Sequence, residues 1–312
     1  MTTANTSDVK RASSSLEQAR ELTFPSRKEM LERAPTVDRF WQNNSGLLQN
    51  AWQHWEASRD DELPNLDEVL IDKSLREAIN RAWVNPNKEG AVKDLWHEVA
   101  PGVYKAQFFD VEEIAKLRNY FDQASDAGIP LKPPYGIVLN RFGGMLDKRS
   151  TGYLAAPNFQ AFYQMLHDKY MRPIARLLMP EVYGFDSQTF GFSIKYQAGV
   201  DTSLRLHTDA SAATMNINMN LQRETYKGSQ VDFYDSQSGR VNRLVFEPGT
   251  AMIHRGNVAH AAQAITEGER SNIVMWLYGK GMTIPHHQNG EDISPEQRWT
   301  VPNEEQDAYA PF

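Results

Sequence analysis

Between Gln188 and Gly279 the chain breaks into short apolar runs parted by Gly, Pro, Asp and Ser: FGFSIKY, SLRLH, ATMNINMNL, SQVDFYD, RLVFE, TAMIH, VAHAAQAI and RSNIVMWLYG. Runs this short, with turn residues between them, predict strands, and so many strands in one stretch predict an all-β sandwich or jelly roll. Upstream the texture differs. From Ser14 to about Ala100 the pattern is helical and interrupted: SSLEQAREL, KEMLERA, GLLQNAWQHWEA and DEVLIDKSLREAINRAW. In the last of these Ile71, Leu75, Ile79 and Trp83 recur every four residues with polar residues between them, as one apolar stripe of an amphipathic helix. Trp41, Trp52 and Trp55 are expected to anchor the helices on the sheet.

The intervening stretch reads as a strand, VYKAQFF, then a helix opened by Asp110 as N-cap, a second strand YGIVLN (135–140), and a helix from Asn158 to Met179 that stops at Pro180. Residues 1–13 are polar and rich in Ser, Thr and Asn, a composition expected to be disordered. The tail from 286 to 312 is polar and loop-like.

Composition removes whole classes of function. There is no cysteine, so disulfides, thiolate nucleophiles, iron–sulfur clusters and Cys-ligated zinc are excluded, and any metal site must use His and carboxylate. A net charge of −7 supplies no basic excess to neutralise phosphates, so neither nucleic acid nor an anionic membrane is expected as partner. No apolar run reaches the roughly 18 residues of a membrane span, and residues 1–20 hold no apolar signal core. The expectation is a cytoplasmic enzyme.

One motif stands out within the β-rich half, Arg205-Leu206-His207-Thr208-Asp209, followed by His260 and Arg270. On a strand, residues i and i+2 share a face, so His207 and Asp209 can converge on one ion while Thr208 turns away. His260, on a distant strand, would lie alongside in a jelly roll. Two imidazoles and one carboxylate can occupy one face of an iron octahedron and leave the opposite face open. Each histidine alone is as readily a satisfied buried imidazole, and Arg270 alone a solvated cation after the turn Glu267-Gly268-Glu269. His254 is surplus to a complete ligand set and is expected to have a structural use, while His286 and His287 are expected to be solvated.

The stretch FGFSIKYQAGVDTSLRLHTDASAATMNINMNL, then GSQVDFYD, then EPGTAMIHRGNVAHAAQAITEGERSNIVMWLYG, resembles the catalytic core of the prolyl/lysyl-hydroxylase-like branch of the Fe(II)/2-oxoglutarate-dependent oxygenases. PGVYKAQFF, YGIVLN and RLLMPEVYG are similar to the same branch, so the resemblance runs from about Val99 to Gly279 and leaves the N-terminal third outside. It implies an α+β fold with a double-stranded β-helix (jelly-roll) core flanked by helices. Residues 14–100 would be a helical extension packed on the core, and 101–285 the oxygenase domain. It further implies that Fe(II), O₂ and 2-oxoglutarate are used, with ascorbate as reductant, and that the enzyme is a dioxygenase.

By matching motif, His207, Asp209 and His260 would ligate iron, and Arg270 would hold the far carboxylate of 2-oxoglutarate, to which a guanidinium is suited. Tyr196 would face the co-substrate and Asn218 would be a second donor to that carboxylate. Two departures stand against the branch. Gly228-Ser229 replaces its usual Gly-Gly pair, expected to alter only a turn. Asn216 falls where a large apolar residue is common, which makes the inner wall polar.

Arg205, Asn216, Lys195, Arg255, Asn272 and Arg141 could together line a pocket for carboxylates, since buried charges are rarely left unpaired. They point to a polar, carboxylate-bearing small-molecule substrate, hydroxylated or closed into a ring, with release of succinate and CO₂. The alternatives are an oxidative cyclase of an acidic amino-acid derivative similar to the kainoid synthases, a prolyl/lysyl-type protein hydroxylase, and a non-catalytic sensor of metal or 2-oxoglutarate.

Overall fold

Along the strand Glu269–Tyr278 successive side chains point to opposite faces, and that alternation organises the layers around it. Ile273, Met275 and Leu277 join the core under the helices, whereas Val274 and Trp276 join a second apolar cluster with Phe190, Phe192, Ile194 and Tyr196. The computed structural model describes residues 15–59, 61–134, 140, 142–286, 293–303 and 305–311.

Thirteen strands occur among the described residues: β1 His97–Ala100, β2 Val103–Gln107, β3 Gly144–Met145, β4 Gln188–Gln197, β5 Leu204–His207, β6 Ala213–Asn218, β7 Lys227–Gly228, β8 Val231–Tyr234, β9 Val241–Leu244, β10 Thr250–Arg255, β11 His260–Ala262, β12 Ile265–Glu267 and β13 Glu269–Tyr278. The large sheet runs in the order β1-β2-β10-β6-β13-β4-β3, the smaller one β5-β11-β8-β9, and β12 pairs with β7. From β4 onward the chain passes back and forth between them: β4 in the large sheet, β5 in the small, β6 in the large, β8 and β9 in the small, β10 in the large, β11 in the small, β13 in the large. That alternation is a double-stranded β-helix, or jelly roll. Every strand pair is antiparallel, and β13 with β4 forms a continuous ladder from Glu269↔Gln197 to Tyr278↔Gln188.

The outer face of the large sheet is covered by helices. Five are principal: α1 Pro35–Ala57, α2 Lys73–Val84, α3 Ile114–Asp126, α4 Pro157–Met165 and α5 Arg172–Leu178, the last two joined by a π-helical turn at Leu166–Met171. Trp41, Trp52 and Trp55 are buried in the same core as Met215, Ile217, Ile253 and Met275 of the sheet. Glu56, buried at the end of α1, accepts from Tyr120 Oη at 2.6 Å and from the backbone N of Asn158 at 2.7 Å. One carboxylate thereby ties α1 to α3 and caps the start of α4. No helix among the described residues is long and apolar enough to cross a membrane.

Several elements differ from the sequence expectation. His97–Ala100, at the end of the stretch read as helical, is a strand, because pairing with β2 satisfies its backbone. Asp110 does accept from Glu112 N at 2.9 Å, but it caps a turn ahead of α3, which begins at Ile114. Residues 135–139 of the expected strand YGIVLN lie outside the described residues. Asn140 belongs to no strand and instead brackets the edge of β4, donating Nδ2 to Lys195 O at 2.7 Å and accepting from Lys195 N at 2.9 Å. VAHAAQAI divides into β11 and β12. The tail, expected as loop, contains a short helix Pro295–Arg298 with a Ser294 capping box, and its Trp299 is buried edge-on against Trp83 at 5.6 Å.

Candidate metal centre

The motif His207-Thr208-Asp209 straddles the end of β5, and His260 opens β11 directly opposite, with His260 and His207 paired in register. A bulge follows, because the next pair is Ala262 with Leu204, so β5 spends one more residue than β11 over the same span. Two short strands in the smaller sheet thus place both imidazoles side by side, with ring centroids 4.3 Å apart. Asp209 lies just beyond β5, in a segment pinned to the end of β10: its N donates to Gly256 O at 2.8 Å. Gly256 is required there, since a Cβ would stand 2.0 Å from Ser211 O and 2.7 Å from Asp209 O.

The potential ligand atoms of His207, Asp209 and His260 all lie within 4.8 Å of one another. His207 Nε2 is 3.4 Å from Asp209 Oδ1, and His260 Nε2 is 3.8 Å from Asp209 Oδ2. Each ring has its other nitrogen against a backbone carbonyl, His207 Nδ1 at 2.8 Å from Arg205 O and His260 Nδ1 at 2.9 Å from Val258 O. A carbonyl can only accept, so both Nδ1 atoms carry protons, and in the neutral rings both Nε2 lone pairs face the carboxylate. This is how metal-binding imidazoles are oriented. Asp209 Oδ2 is held by Thr214 Oγ1 at 2.7 Å, which in turn meets Ser211 Oγ at 2.8 Å.

Electrostatics act differently on the three groups. Burial works against charge on Asp209, but the bond to His207, the fields of His260 and His254 and the Thr214 hydroxyl outweigh it and bring its pKa down to about 2. Burial, reinforced by His254, lowers His260 to about 4, so its Nε2 is unprotonated at neutral pH. For His207 burial also pulls downward, yet the Asp209 carboxylate and the backbone acceptors prevail and its pKa is raised. His254 is buried, with Nδ1 against Arg255 O at 2.8 Å and its ring 4.7 Å from His260. It packs behind the triad, and Phe233 stacks on the other side of His260 at 5.6 Å.

A cavity between the two sheets joins this cluster to Arg270 and is walled by Phe192, Ile194, Val274 and Trp276. Arg270 is only 1% exposed, yet its Nε and Nη1 have no hydrogen-bond partner among the described residues. Its guanidinium lies over Tyr196 at 4.6 Å and Phe246 at 5.3 Å. Burial depresses its pKa. A buried cation with two idle donors calls for an anion with two oxygens, so the residues fit a carboxylate such as the far end of 2-oxoglutarate.

The other candidates separate. Tyr196 and Asn216 line the cavity. Asn218 and Asn272 are fully buried and hydrogen-bonded to neighbouring asparagines, so the Asn218 amide is already engaged. Arg205 was expected to share the inward face of His207. The bulge corrects this: Leu204 takes the inward place, while Arg205 and Leu206 are exposed on the edge of the smaller sheet. Lys195 points to the other side of the large sheet and pairs with Glu269 at 2.6 Å, and Arg255 pairs with buried Glu181. Neither joins the cavity, which corrects the expectation of a shared cationic pocket. Arg141 and His287 lie outside the described residues.

Sequence reasoning overlooked Leu204, Phe246 and Phe233. Only the bulge could have signalled Leu204, and the two phenylalanines reach the site through contacts distant in sequence.

Curated proteins supply a second line of information. The chain is 32% identical over 191 residues to the 2-oxoglutarate and iron-dependent oxygenase domain-containing protein ICU11 of Arabidopsis thaliana, covering 57% of this chain and 46% of that protein. It is 28% identical over 203 residues to 2-oxoglutarate and iron-dependent oxygenase domain-containing protein 2 of Xenopus tropicalis, covering 61% and 53%. This chain is a relative of the 2-oxoglutarate and iron-dependent oxygenase domain proteins. It spans about half the length of the curated relatives it matches. The iron and 2-oxoglutarate in the relatives' names agree with the donor set of His207, Asp209 and His260 and with the idle nitrogens of Arg270. No known family profile matches. Among solved structures the chain is similar to an oxidoreductase of the 2OG-Fe(II) oxygenase family from Burkholderia pseudomallei, at 15% identity and a TM-score of 0.42, covering 60% of this chain and 89% of that one. A Pseudomonas putida prolyl-4-hydroxylase is comparable, at 16% identity and a TM-score of 0.42, covering 58% and 94%.

Proposed function

We propose that this chain is an iron(II)- and 2-oxoglutarate-dependent oxygenase that oxidises a C–H bond of a polar, carboxylate-bearing small molecule. One observation carries the reading. Two imidazoles with their Nε2 lone pairs turned toward a buried carboxylate share a cavity with a buried guanidinium that has idle donors. His207, Asp209 and His260 would hold the iron, leaving three coordination positions, and Arg270 would hold the distal carboxylate of the co-substrate. With O₂ these groups supply the oxidation, one oxygen atom passing to the substrate and one to succinate as CO₂ leaves.

The protein's own share is placement and exclusion. Phe192, Ile194, Val274 and Trp276 give the cavity an apolar wall, and Thr214 keeps Asp209 Oδ2 in place. The polar character of the wall, with Asn216 and the buried Arg270 lining the cavity, supports the substrate assignment.

The test loads the full chain anaerobically with Fe(II) and 2-oxoglutarate, adds a metabolite extract and admits ¹⁸O₂. Succinate release is expected, together with a compound that gains one heavy oxygen or, for ring closure, loses two hydrogens. Asp209→Ala should release none. A wild-type protein that binds both ligands yet yields no succinate with any extract would sink the oxygenase reading, and full turnover by Asp209→Ala would refute the metal assignment.

A further inference from the structure

Asn216, Asn218, Asn220 and Asn272 form a chain of side-chain amides that starts on the backbone and ends at the cavity. At its start, Asn220 N donates to Asn218 Oδ1 at 3.0 Å, and Ser271 N donates to Asn220 Oδ1 at 2.9 Å. A backbone N–H can only donate, so these bonds fix which branch of each amide is oxygen. Asn218, its oxygen engaged, presents Nδ2 to Asn220 Oδ1 at 3.1 Å and to Asn272 Oδ1 at 3.3 Å. Asn272 is therefore left with Nδ2 to offer, and it donates to Asn216 Oδ1 at 2.5 Å.

The polarity has now been passed along three residues. Asn216 has its oxygen occupied, and its Nδ2, with two N–H groups, has no acceptor among the described residues. Asn218, Asn220 and Asn272 are buried, whereas Asn216 is half-buried and lines the cavity with Thr214 and Arg270. Along β6 it stands one inward position beyond Thr214, the residue that bonds Asp209, and before Asn218, which opposes Asn272 on the strand that carries Arg270. It thus lies between the metal ligands and the buried guanidinium.

We infer that Asn216 is a fixed hydrogen-bond donor to an oxygen of the dicarboxylate anchored by Arg270, and that Asn272, Asn218 and Asn220 are positioning residues that fix its polarity. The inference rests on the co-substrate assignment above. An isolated asparagine can rotate to suit either a donor or an acceptor. Here rotation would set two Nδ2 donors against each other at Asn272, or would have to propagate back to backbone amides that cannot reverse. The wall consequently selects a carboxylate or carbonyl oxygen at this level of the cavity and rejects an ammonium or N–H group. It also accounts for a polar residue where the resembling branch commonly has a large apolar one.

Anaerobic calorimetric titration of 2-oxoglutarate into the Fe(II)-loaded full chain tests this with three variants. N216L removes the donor and N216D replaces it with an acceptor of the same shape, so affinity should fall in the order wild type, N216L, N216D. The loss in N216L should be on the order of 10- to 100-fold, the range for a lost hydrogen bond to a charged group, and N216D should lose more. N272L, which leaves the ligand contact in place, should still weaken binding several-fold, because Asn216 becomes free to turn. Fe(II) affinity, measured separately, should stay at the wild-type value in all three, a result that a merely structural role would not give. N216D binding 2-oxoglutarate as tightly as N216L, or N272L binding it like wild type, would overturn the inference. Should N272L lose Fe(II) affinity through misfolding, the comparison of N216D with N216L decides alone. Failure of the wild type itself to bind 2-oxoglutarate would instead refute the proposed function.

Discussion

Thr214→Val removes one hydroxyl and almost nothing else, which makes it a sharp probe of how the metal site is built. Thr214 is 1% exposed, its Oγ1 gives Asp209 Oδ2 a bond of 2.7 Å, and valine fills nearly the same space. Two losses follow. Asp209 gives up a hydrogen bond to a charged group, about 1.5–3 kcal/mol, and Ser211 Oγ gives up its 2.8 Å partner. Before metal binds, the carboxylate has His207 and Thr214 to compensate its burial, so the metal-free protein should lose stability by about 2 kcal/mol. The Asp209 pKa, held at about 2, should rise for the same reason. Metal affinity should fall about 10- to 100-fold, as expected when a hydrogen bond that orients a ligand is removed. Fe(II) or Mn(II) titration under argon, paired with urea unfolding of the metal-free protein, measures both. Metal affinity within about twofold of wild type, with unchanged unfolding, would show that the hydroxyl does not orient Asp209.

Two further outcomes are expected. The depressed pKa of His260, about 4 against an ordinary 6.5, means that the unfolded chain takes up the proton first as pH falls. Metal-free stability should therefore decline between about pH 6.5 and pH 4, and urea unfolding across that window should show wild type losing about 3 kcal/mol more than His260→Leu. An equal pH slope in the two proteins would contradict the burial argument. Ser229 adopts a left-handed φ of 58° next to Gly228 at 79°, so both residues of the Gly228-Ser229 turn occupy backbone space that favours glycine. Ser229→Gly should raise the unfolding free energy by about 1 kcal/mol, checked by thermal or urea melts.

The grouping of His207, Asp209 and His260 was legible because its signal is local or periodic. A strand that puts i and i+2 on one face needs no tertiary knowledge, and the strand-rich half foretold that His260 could come alongside. Arg205 was misread for the opposite reason. The bulge between the pairs His207–His260 and Leu204–Ala262 is a property of two strands at once, and one extra residue exchanges the faces of everything before it. The carboxylate partners of Lys195 and Arg255 were hidden in the same way. Glu269 stands across a strand pair from Lys195, and Glu181 comes from a turn far earlier in the chain, so no spacing rule could join them. His97–Ala100 became a strand because β2 offered it a ladder.

The asparagines illustrate a middle case, and they change what the polar wall means. Alternation along β6 places Thr214, Asn216 and Asn218 on one face, and from sequence Asn218 reads as the donor to the co-substrate carboxylate and Asn216 as a substrate contact. Pairing with β13 makes them unequal. Asn218 and Asn272 satisfy each other below the cavity, Thr214 is spent on Asp209, and only Asn216 keeps a free donor branch at the surface of the cavity. A buried amide network is stabilising only when each member is satisfied, so its one idle end is a position where a ligand oxygen is required. Arg270 makes the same demand with its idle Nε and Nη1. Two separate shortfalls of acceptors on neighbouring strands of one cavity wall call for an anion rich in oxygen, which is the physical reason a dicarboxylate co-substrate suits this chain.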